Sequence, residues 1–451
     1  LALLEAFYAR SYSLSDIVAD DAEVYAMISR ADTIGVFQIE SRAQMAMLPR
    51  LKPRCYYDLV IEVAIIRPGP IQGDMVHPYL RRRNGEEAVS YPSEAVKGVL
   101  ERTLGVPIFQ EQVMQLAIVA AGFTPGEADG LRRAMAAWGR RGDLEFYRER
   151  LISGMRQRGY ADRFAEQIFN QIKGFGEYGF PESHSASFAL LAYASAWLKH
   201  HQPAAFFCAL LNSQPMGFYA PAQLVRAARK QNVEVRPVDV NRSHRDCTLE
   251  RGMLGVPAMR LGLRMVKGLS AEGAERLVEQ RTLRAFTSVS DLTHRAALNA
   301  KDLGCLASAD AFKAFARNRY QARWQVAGVD HESSLDLELN EAVPLLKPPG
   351  EGQDIISDYR HVGLTLRRHP LAVLRSRLRS SGFMSAEEVQ ALNHGSYVRA
   401  AGLVITRQRP ASAAGVTFVT LEDETGYLNL IVWENVARRE RKALLSASLL
   451  G

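Results

Sequence analysis

Apolar positions recur at helical spacing through the first half of the chain, and at alternate positions only near its end. Residues 12–30 predict a helical lead-in, with Ser15 and Asp16 as possible caps and Val24, Tyr25, Met27 and Ile28 as one stripe. Gly35-Val-Phe-Gln-Ile-Glu-Ser-Arg42 reads as a short strand-like run, and Arg67-Pro-Gly-Pro70 as a turn with a fixed bend. Residues 95–215 are helical in pattern, broken at Gly122–Gly126, Gly139–Gly142 and Gly174–Pro181. Residues 215–260 shorten into Pro- and Gly-punctuated pieces such as Val233-Glu-Val-Arg-Pro237, which predict short strands or extended chain. Residues 262–281 predict a short helix, a tight turn at Gly268 and a second helix with Ala274 and Leu277 facing in, and 285–312 repeat that plan loosely. An acidic, proline-containing linker follows at 329–353. Residues 397–433 alternate apolar and polar, with Gly415 and Gly426 as punctuation. They predict a β-meander, the first strands of a small barrel with too little sequence left to complete five.

The length of 451 residues allows about three domains. No apolar run reaches the roughly 20 residues that span a bilayer, and the start lacks the basic region of a signal peptide. The chain opens on Leu1 and stops within apolar sequence, so it is expected to be part of a longer protein. Four scattered cysteines, Cys55, Cys208, Cys247 and Cys305, have no zinc spacing and fit a reducing cytoplasm. The net charge of +7 rests largely on arginine, a good phosphate ligand, and makes a polyanionic partner an expectation.

Several stretches could carry chemistry. In Gly174-Phe-Gly-Glu-Tyr-Gly-Phe-Pro-Glu-Ser-His-Ser-Ala-Ser-Phe188, three glycines precede Ser183, His184 and Ser185, and Ser183 or Ser185 could cap a helix starting near Ala186. A helix N-terminus with free amides and hydroxyls suits an anion, and a capped helix after a Gly-rich turn explains the pattern equally. Arg132 and Arg133 run into an apolar segment with Glu127 and Asp129 as their only close acids. They either clamp phosphates or pair with Asp129. The later arginines, Arg140 to Arg158, read as a solvated face partnered by Asp143, Glu145 and Glu149. No Gly-x-Ser-x-Gly elbow accompanies the Ser-His-Ser cluster, so a hydrolase triad is not indicated. The acidic clusters Asp20-Asp21, Glu86-Glu87, Asp336-Leu-Glu338 and Glu422-Asp423-Glu424 all lack the buried-strand setting of a two-metal site.

The 262–281 hairpin is similar to a helix-hairpin-helix, whose Gly-x-Gly turn binds DNA phosphates through backbone amides, although Ser270 replaces the second glycine. Lys267, Gly268 and Ser270 would be its DNA contacts. The partial barrel at 397–451 resembles an OB-fold, a common holder of single-stranded nucleic acid. Tyr397, Phe418, Tyr427 and Trp433 could stack on bases, about half of them being structural, and Arg407 and Arg409 fall in the loop after its first strand.

Together, Val36-Phe-Gln-Ile-Glu-Ser-Arg42, Arg67-Pro-Gly-Pro70, Phe109-Gln-Glu-Gln-Val-Met114, Leu131-Arg-Arg-Ala-Met135 and Tyr178-Gly-Phe-Pro-Glu-Ser-His-Ser-Ala186 resemble, in order, the motifs of the bacterial C-family DNA polymerases, the DNA polymerase III α-subunit family. Ala136-Ala137-Trp138 stands where replicative members carry Gly-Lys-Lys, and Pro181-Glu182 where they carry Asn-Lys. With Leu211-Asn-Ser-Gln-Pro-Met-Gly-Phe-Tyr219, these departures look like the error-prone, damage-induced branch. The resemblance implies a multidomain, mainly α protein with an incomplete all-β OB-fold at its C-terminus. It divides the chain into a palm/fingers junction (1–48), fingers (49–240), a tandem helix-hairpin-helix region (241–325), a linker and helical connector (326–394) and the partial OB-fold (395–451). It implies a DNA-directed DNA polymerase acting in translesion synthesis, with Arg132, Arg133, Gly179, Ser183, His184 and Ser185 at the dNTP and Lys267, Gly268, Ser270, Arg407 and Arg409 at the primer–template. The Mg²⁺-binding aspartates lie upstream of Leu1 in that family, so this chain alone should not polymerise. A Y-family-like accessory protein and the sliding clamp are the implied partners. A replicative α subunit, or a non-catalytic DNA-binding fragment, remains the alternative.

Overall fold

The structure, a computed structural model, describes residues 1–67, 70–71, 75–136, 144–174, 180–217, 219–329, 344, 346–410 and 415–451. Gly179, Arg140, Arg141, Asp143, the Pro68-Gly69 bend and Asp336-Leu-Glu338 lie outside them. The described chain is mainly helical and forms two compact units, residues 1–219 with 227–233 and residues 220–226 with 234–451.

The first unit holds α1 (Ala2–Tyr8), α2 (Ala22–Ser29), α3 (Arg42–Leu51), α4 (Tyr56–Ile65), α5 (Val76–Arg83), α6 (Glu94–Leu100), α7 (Gln110–Ala121), α8 (Pro125–Ala136), α9 (Leu144–Gln157), α10 (Asp162–Gly174), α11 (Glu182–His201) and α12 (Pro203–Asn212). Helix α13 (Pro221–Lys230) divides between the units at Arg226. The predicted α2 stripe is the buried one, but the cap is Asp21, whose carboxylate accepts the amides of Glu23 and Val24. Ser13, not Ser15, opens the short 3-10 turn before it. The strand expected at Gly35–Arg42 is a pair of turns. Gly35 and Gln38 take φ values of 77° and 64°, Thr33 Oγ1 donates to Ile39 O, and Val36 and Ile39 both turn inward. Positive φ at two of four positions is incompatible with a strand.

Helix α11 is the spine of this unit. It packs along α4, with the Tyr56 hydroxyl donating to Ala186 O and Ser185 Oγ to Val60 O. Its far end is tied to the lead-in. Lys199, fully buried, donates to both the carbonyl and the carboxylate of Asp32 at 2.8 Å, and Tyr193 bridges Val18 O and Asp21 N.

The second unit begins with a small sheet of β1 (Val235–Arg236), β2 (Thr248–Arg251) and β3 (Pro257–Arg260), with β3 central, parallel to β1 and antiparallel to β2. The predicted hairpin follows: a 3-10 turn at Leu263–Met265, Gly268 at φ 87°, and α14 (Ala271–Leu283) with Ala274 and Leu277 buried. Its looser copy is α15 (Val289–Ala296) and α16 (Ala300–Ser308). Then come α17 (Arg319–Ala327), α18 (Glu351–His361), α19 (Pro370–Ser380) and α20 (Ala386–Gln390). The final sheet contains β4 (Gly402–Gln408), β5 (Thr417–Glu422), β6 (Tyr427–Val432) and β7 (Leu449–Leu450), with α21 (Glu434–Arg439) and α22 (Arg441–Ser446) before β7. Its order is β6-β5-β4-β7, antiparallel throughout, around a core of Val419, Leu421, Leu428, Leu444 and Ala386. A Cβ on Gly402 would sit 2.6 Å from that of Leu421, so only glycine allows the two strands to approach there. This curled sheet is consistent with a partial OB-fold.

Candidate functional site

Helix α11 starts at Glu182, not near Ala186, and its cap residue is Pro181. Proline presets the helical entry angle and has no amide to leave unsatisfied. The next amide, that of Glu182, donates to Glu111 Oε2 at 2.9 Å. Ser183 and Ser185 are therefore inside the first turn and cap nothing. Ser185 is wholly buried, with its hydroxyl on α4, whereas Ser183 and His184 are exposed. His184 meets Phe180 and Phe188 edge-on, with ring centres 5.3 and 4.4 Å away. Arg67 lies over one ring of that layer, its guanidinium 3.8 Å from the Phe180 ring centre while Nε donates to Val63 O. An exposed imidazole, an arginine and first-turn backbone thus meet at one helix N-terminus. In the sequence, Arg67 shows only as part of a turn.

Glu182 also holds a small cluster. It accepts the Tyr57 hydroxyl at 2.8 Å and Arg102 Nη1 at 3.3 Å, and Arg102 lies 3.8 Å over the Tyr57 ring. Burial, then the Glu182 carboxylate, pushes the Tyr57 phenol upward, so it remains a donor. An acid at this helix start therefore fixes Arg102 and Tyr57 in place.

On α8 both readings of the arginine pair meet in Asp129. Arg132 reaches Oδ1 with Nε and Nη2, at 3.0 and 2.9 Å, and Arg133 reaches Oδ2 at 3.0 Å. The Arg132 hydrogen bonds, then the charge of Arg133, hold the Asp129 carboxyl below its usual range. Two guanidinium groups on one carboxylate leave a surplus positive charge, and Arg133 is 70% exposed. Of the later arginines, Arg148 pairs with Glu166, Arg150 with Glu127 and Arg156 with Asp162.

Glu62 is a buried carboxyl that sequence reasoning missed. It sits on α4 at 0% exposure, and neither carboxylate oxygen has a hydrogen-bond partner among the described residues. Burial pushes its carboxyl well above the usual range. A charged residue inside the apolar run Leu59–Ile66 was the available signal.

In the second unit, Lys267 and Gly268 are exposed at the hairpin turn, and a Cβ on Gly268 would lie 3.1 Å from Cys305 Sγ. Ser270 is differently placed. It caps α14 by accepting the Gly273 amide, and its own amide and hydroxyl donate to the Asp302 carboxylate at 2.9 and 2.6 Å. That carboxylate is almost fully buried and belongs to the second hairpin, so Ser270 ties the two hairpins together. Arg407 is not in a loop. β4 continues through Gln408, and Arg407 donates to Ala447 O. Arg409 lies beyond the strand, exposed and 3.6 Å from Glu434. Of the four aromatics, Tyr397 and Trp433 are exposed, Phe418 is half-buried, and Tyr427 lies under Arg226 with its phenol pushed up to about 12 by burial.

The acidic run at 422–424 is an ion-pair hub. Glu422 pairs with Arg226 at 2.8 Å, Asp423 with Arg375 at 3.0 Å, and Glu424 with Arg375. Carboxylates already bound to arginine do not fit a magnesium site. Among the described residues no group of three or more His, Cys, Asp or Glu side chains is arranged for a metal, and no helix is long and apolar enough to cross a membrane.

Residues 1–159 match the family of the bacterial DNA polymerase III alpha subunit finger domain, and residues 232–322 match a helix-hairpin-helix motif. An error-prone DNA polymerase of Alkalilimnicola ehrlichii is 61% identical over 450 residues, covering 99% of this chain and 44% of its own length. The chain belongs with the bacterial error-prone DNA polymerases. Error-prone DNA polymerases of Methylococcus capsulatus and Pseudomonas fluorescens are 59% and 56% identical, covering 98% and 99% of the chain and 44% and 45% of their own lengths. The chain thus spans less than half the length of these error-prone polymerases. The finger-domain match contains α4, Arg67 and the α8 arginine pair, and the motif match contains Lys267, Gly268, Ser270 and Asp302.

Proposed function

We propose that this chain is the nucleotide- and DNA-holding part of an error-prone DNA polymerase that adds dNTPs to a primer 3′ end in damage-induced translesion synthesis in the bacterial cytoplasm. The observation that carries the reading is the identity of 56–61% to error-prone polymerases across nearly the whole chain. The site geometry supports it: a half-buried Arg132 beside an exposed Arg133, and an exposed imidazole at the start of α11.

In the reaction, the primer 3′-hydroxyl attacks the α-phosphate of the dNTP and pyrophosphate leaves. Arg132 and Arg133 exchange Asp129 for the triphosphate, which needs little rearrangement because the pair is held at the surface. Ser183 and His184 face the nucleotide, with Gly179 in the stretch leading to them, while Ser185 positions the helix start by bonding to α4. Mg²⁺, when bound, neutralises phosphate charge, and its carboxylate ligands belong to the part of the polymerase outside this chain. Lys267 and Gly268 hold duplex phosphates, with Ser270 bracing the turn. Arg409, Tyr397 and Trp433 guide the template strand, and Arg407 ties β4 to the segment before β7 through Ala447 O. A Y-family-like accessory protein and the sliding clamp are the proposed partners.

The absence of lysine at Ala136-Ala137-Trp138 and Pro181-Glu182 loosens the electrostatic grip on the nucleotide and so relaxes discrimination. Restoring lysines there in a full-length relative should lower misincorporation, and unchanged error rates would refute this point. The reading as a whole is tested by titrating a fluorescent dNTP into residues 1–451. Saturable binding that R132A/R133A weakens is expected, and binding indifferent to both arginines contradicts it.

A further inference from the structure

The helix-hairpin-helix accounts for one exposed lysine, yet three more basic groups gather beside it. Lys267 is fastened to the last turn of α18, its amide donating to His361 O at 2.8 Å and its Nζ to Tyr359 O at 3.0 Å. Arg360 stands between those two carbonyl-bearing residues, exposed and with no partner among the described residues. Helix α17 is locked onto α18 through Arg319, 1% exposed, which reaches Asp354 at 2.8 Å and Asp358 at 2.6 Å. One helical turn beyond Arg319 comes Arg323, exposed, whose guanidinium donates, among the described residues, only to the neutral Ser308 hydroxyl, at 3.2 and 2.9 Å. Arg319 and Arg367 are neutralised by Asp310, Asp354 and Asp358, whereas none of Lys267, Arg323 and Arg360 pairs with a carboxylate among the described residues.

We propose that Arg323, Arg360 and His361, beside Lys267, form a second phosphate-binding site, where α17 and α18 meet the hairpin, that takes the backbone of double-stranded DNA alongside the turn at Gly268. The proposal rests on the reading of this chain as a DNA-binding one.

The bland explanation is that cations at the end of α18 complement the helix dipole. It does not suffice. A helix C-terminus carries about half a negative charge and raises the proton affinity of a nearby imidazole. The imidazole of His361 moves the other way, lowered by burial first and then by Arg323, Arg360, Arg319 and Lys267. Three cations with no carboxylate among the described residues, Lys267, Arg323 and Arg360, exceed the half charge of the helix end, and an external anion is the missing partner. Duplex DNA is the occupant that fits, because the patch adjoins a turn whose motif contacts duplex phosphates without reading bases.

The test measures the salt dependence of binding of residues 1–451 to a duplex and to a single strand of the same sequence. R323Q/R360Q should flatten the log–log salt slope for the duplex by about 0.9 for each phosphate no longer neutralised, about 1.8 in all. Because Arg323 also bonds Ser308, R360Q is measured alone: it removes no hydrogen bond or ion pair among the described residues and should still flatten the slope by about 0.9, which R360K restores. An unchanged duplex slope in both variants overturns the site while leaving the DNA-binding reading intact. An effect confined to the single strand also overturns it. If the unaltered chain shows no salt-dependent duplex binding, the DNA-binding reading itself has failed.

Discussion

Ser270 donates both its amide and its hydroxyl to the buried carboxylate of Asp302, at 2.9 and 2.6 Å. The residue that replaces a glycine in the hairpin turn is thereby a strut between two hairpins, and we propose that it braces the turn without itself holding DNA. S270A should cost about 1 kcal/mol through removal of a helix cap, and more where Asp302 is left unpaired. Urea unfolding reads that cost. The salt slope of duplex binding should stay unchanged in the folded variant, and a flatter slope would return Ser270 to the DNA interface.

Asp129 holds both Arg132 and Arg133, so in the proposed nucleotide site it competes with the triphosphate for them. D129N should tighten dNTP binding, because it frees two guanidinium groups without moving them. R132A/R133A should weaken it by about ten-fold for each charge-assisted hydrogen bond removed. A fluorescent-dNTP titration separates the two directions. Weaker binding by D129N would mean that Asp129 positions the arginines productively.

Glu62 makes stability depend on pH. Its folded-state pKa is raised above the unfolded value, so the protein is favoured below the unfolded pKa and loses that contribution as pH rises through the folded one. E62L should flatten this decline between pH 5 and 9 and raise stability at pH 8 by about 1–3 kcal/mol, the cost of an unpaired buried polar group. Denaturant midpoints across that range decide it. A destabilised E62L at pH 8 would reveal a partner for this carboxyl.

Much of the architecture was legible because periodicity reports which face is buried. The stripe of Val24, Tyr25, Met27 and Ile28, the inward Ala274 and Leu277, and the antiparallel run of β4 to β6 all follow from side-chain spacing. Local signals failed where a distant residue satisfied the same need. Ser183 and Ser185 looked like caps, but Pro181 removed one orphan amide and Glu111, 71 residues earlier, satisfied the next. Ser270 looked like a weakened phosphate turn because Asp302, 32 residues on, is invisible to spacing. Arg67 was hidden inside a turn signal, and its role depends on stacking over Phe180. Ion-pair partners were the least legible, since Arg150 reaches Glu127 on another helix and Arg156 reaches Asp162 at the start of the next one.

The central proposal is that this chain holds the nucleotide and the DNA and does not by itself join them. The most direct measurement combines dNTP and primer–template binding by residues 1–451 with primer extension in the same Mg²⁺-containing reaction. The account predicts binding of both, weakened for the dNTP by R132A/R133A, and no extension of the primer. Extension by this polypeptide alone, or nucleotide binding that ignores those arginines, would contradict it.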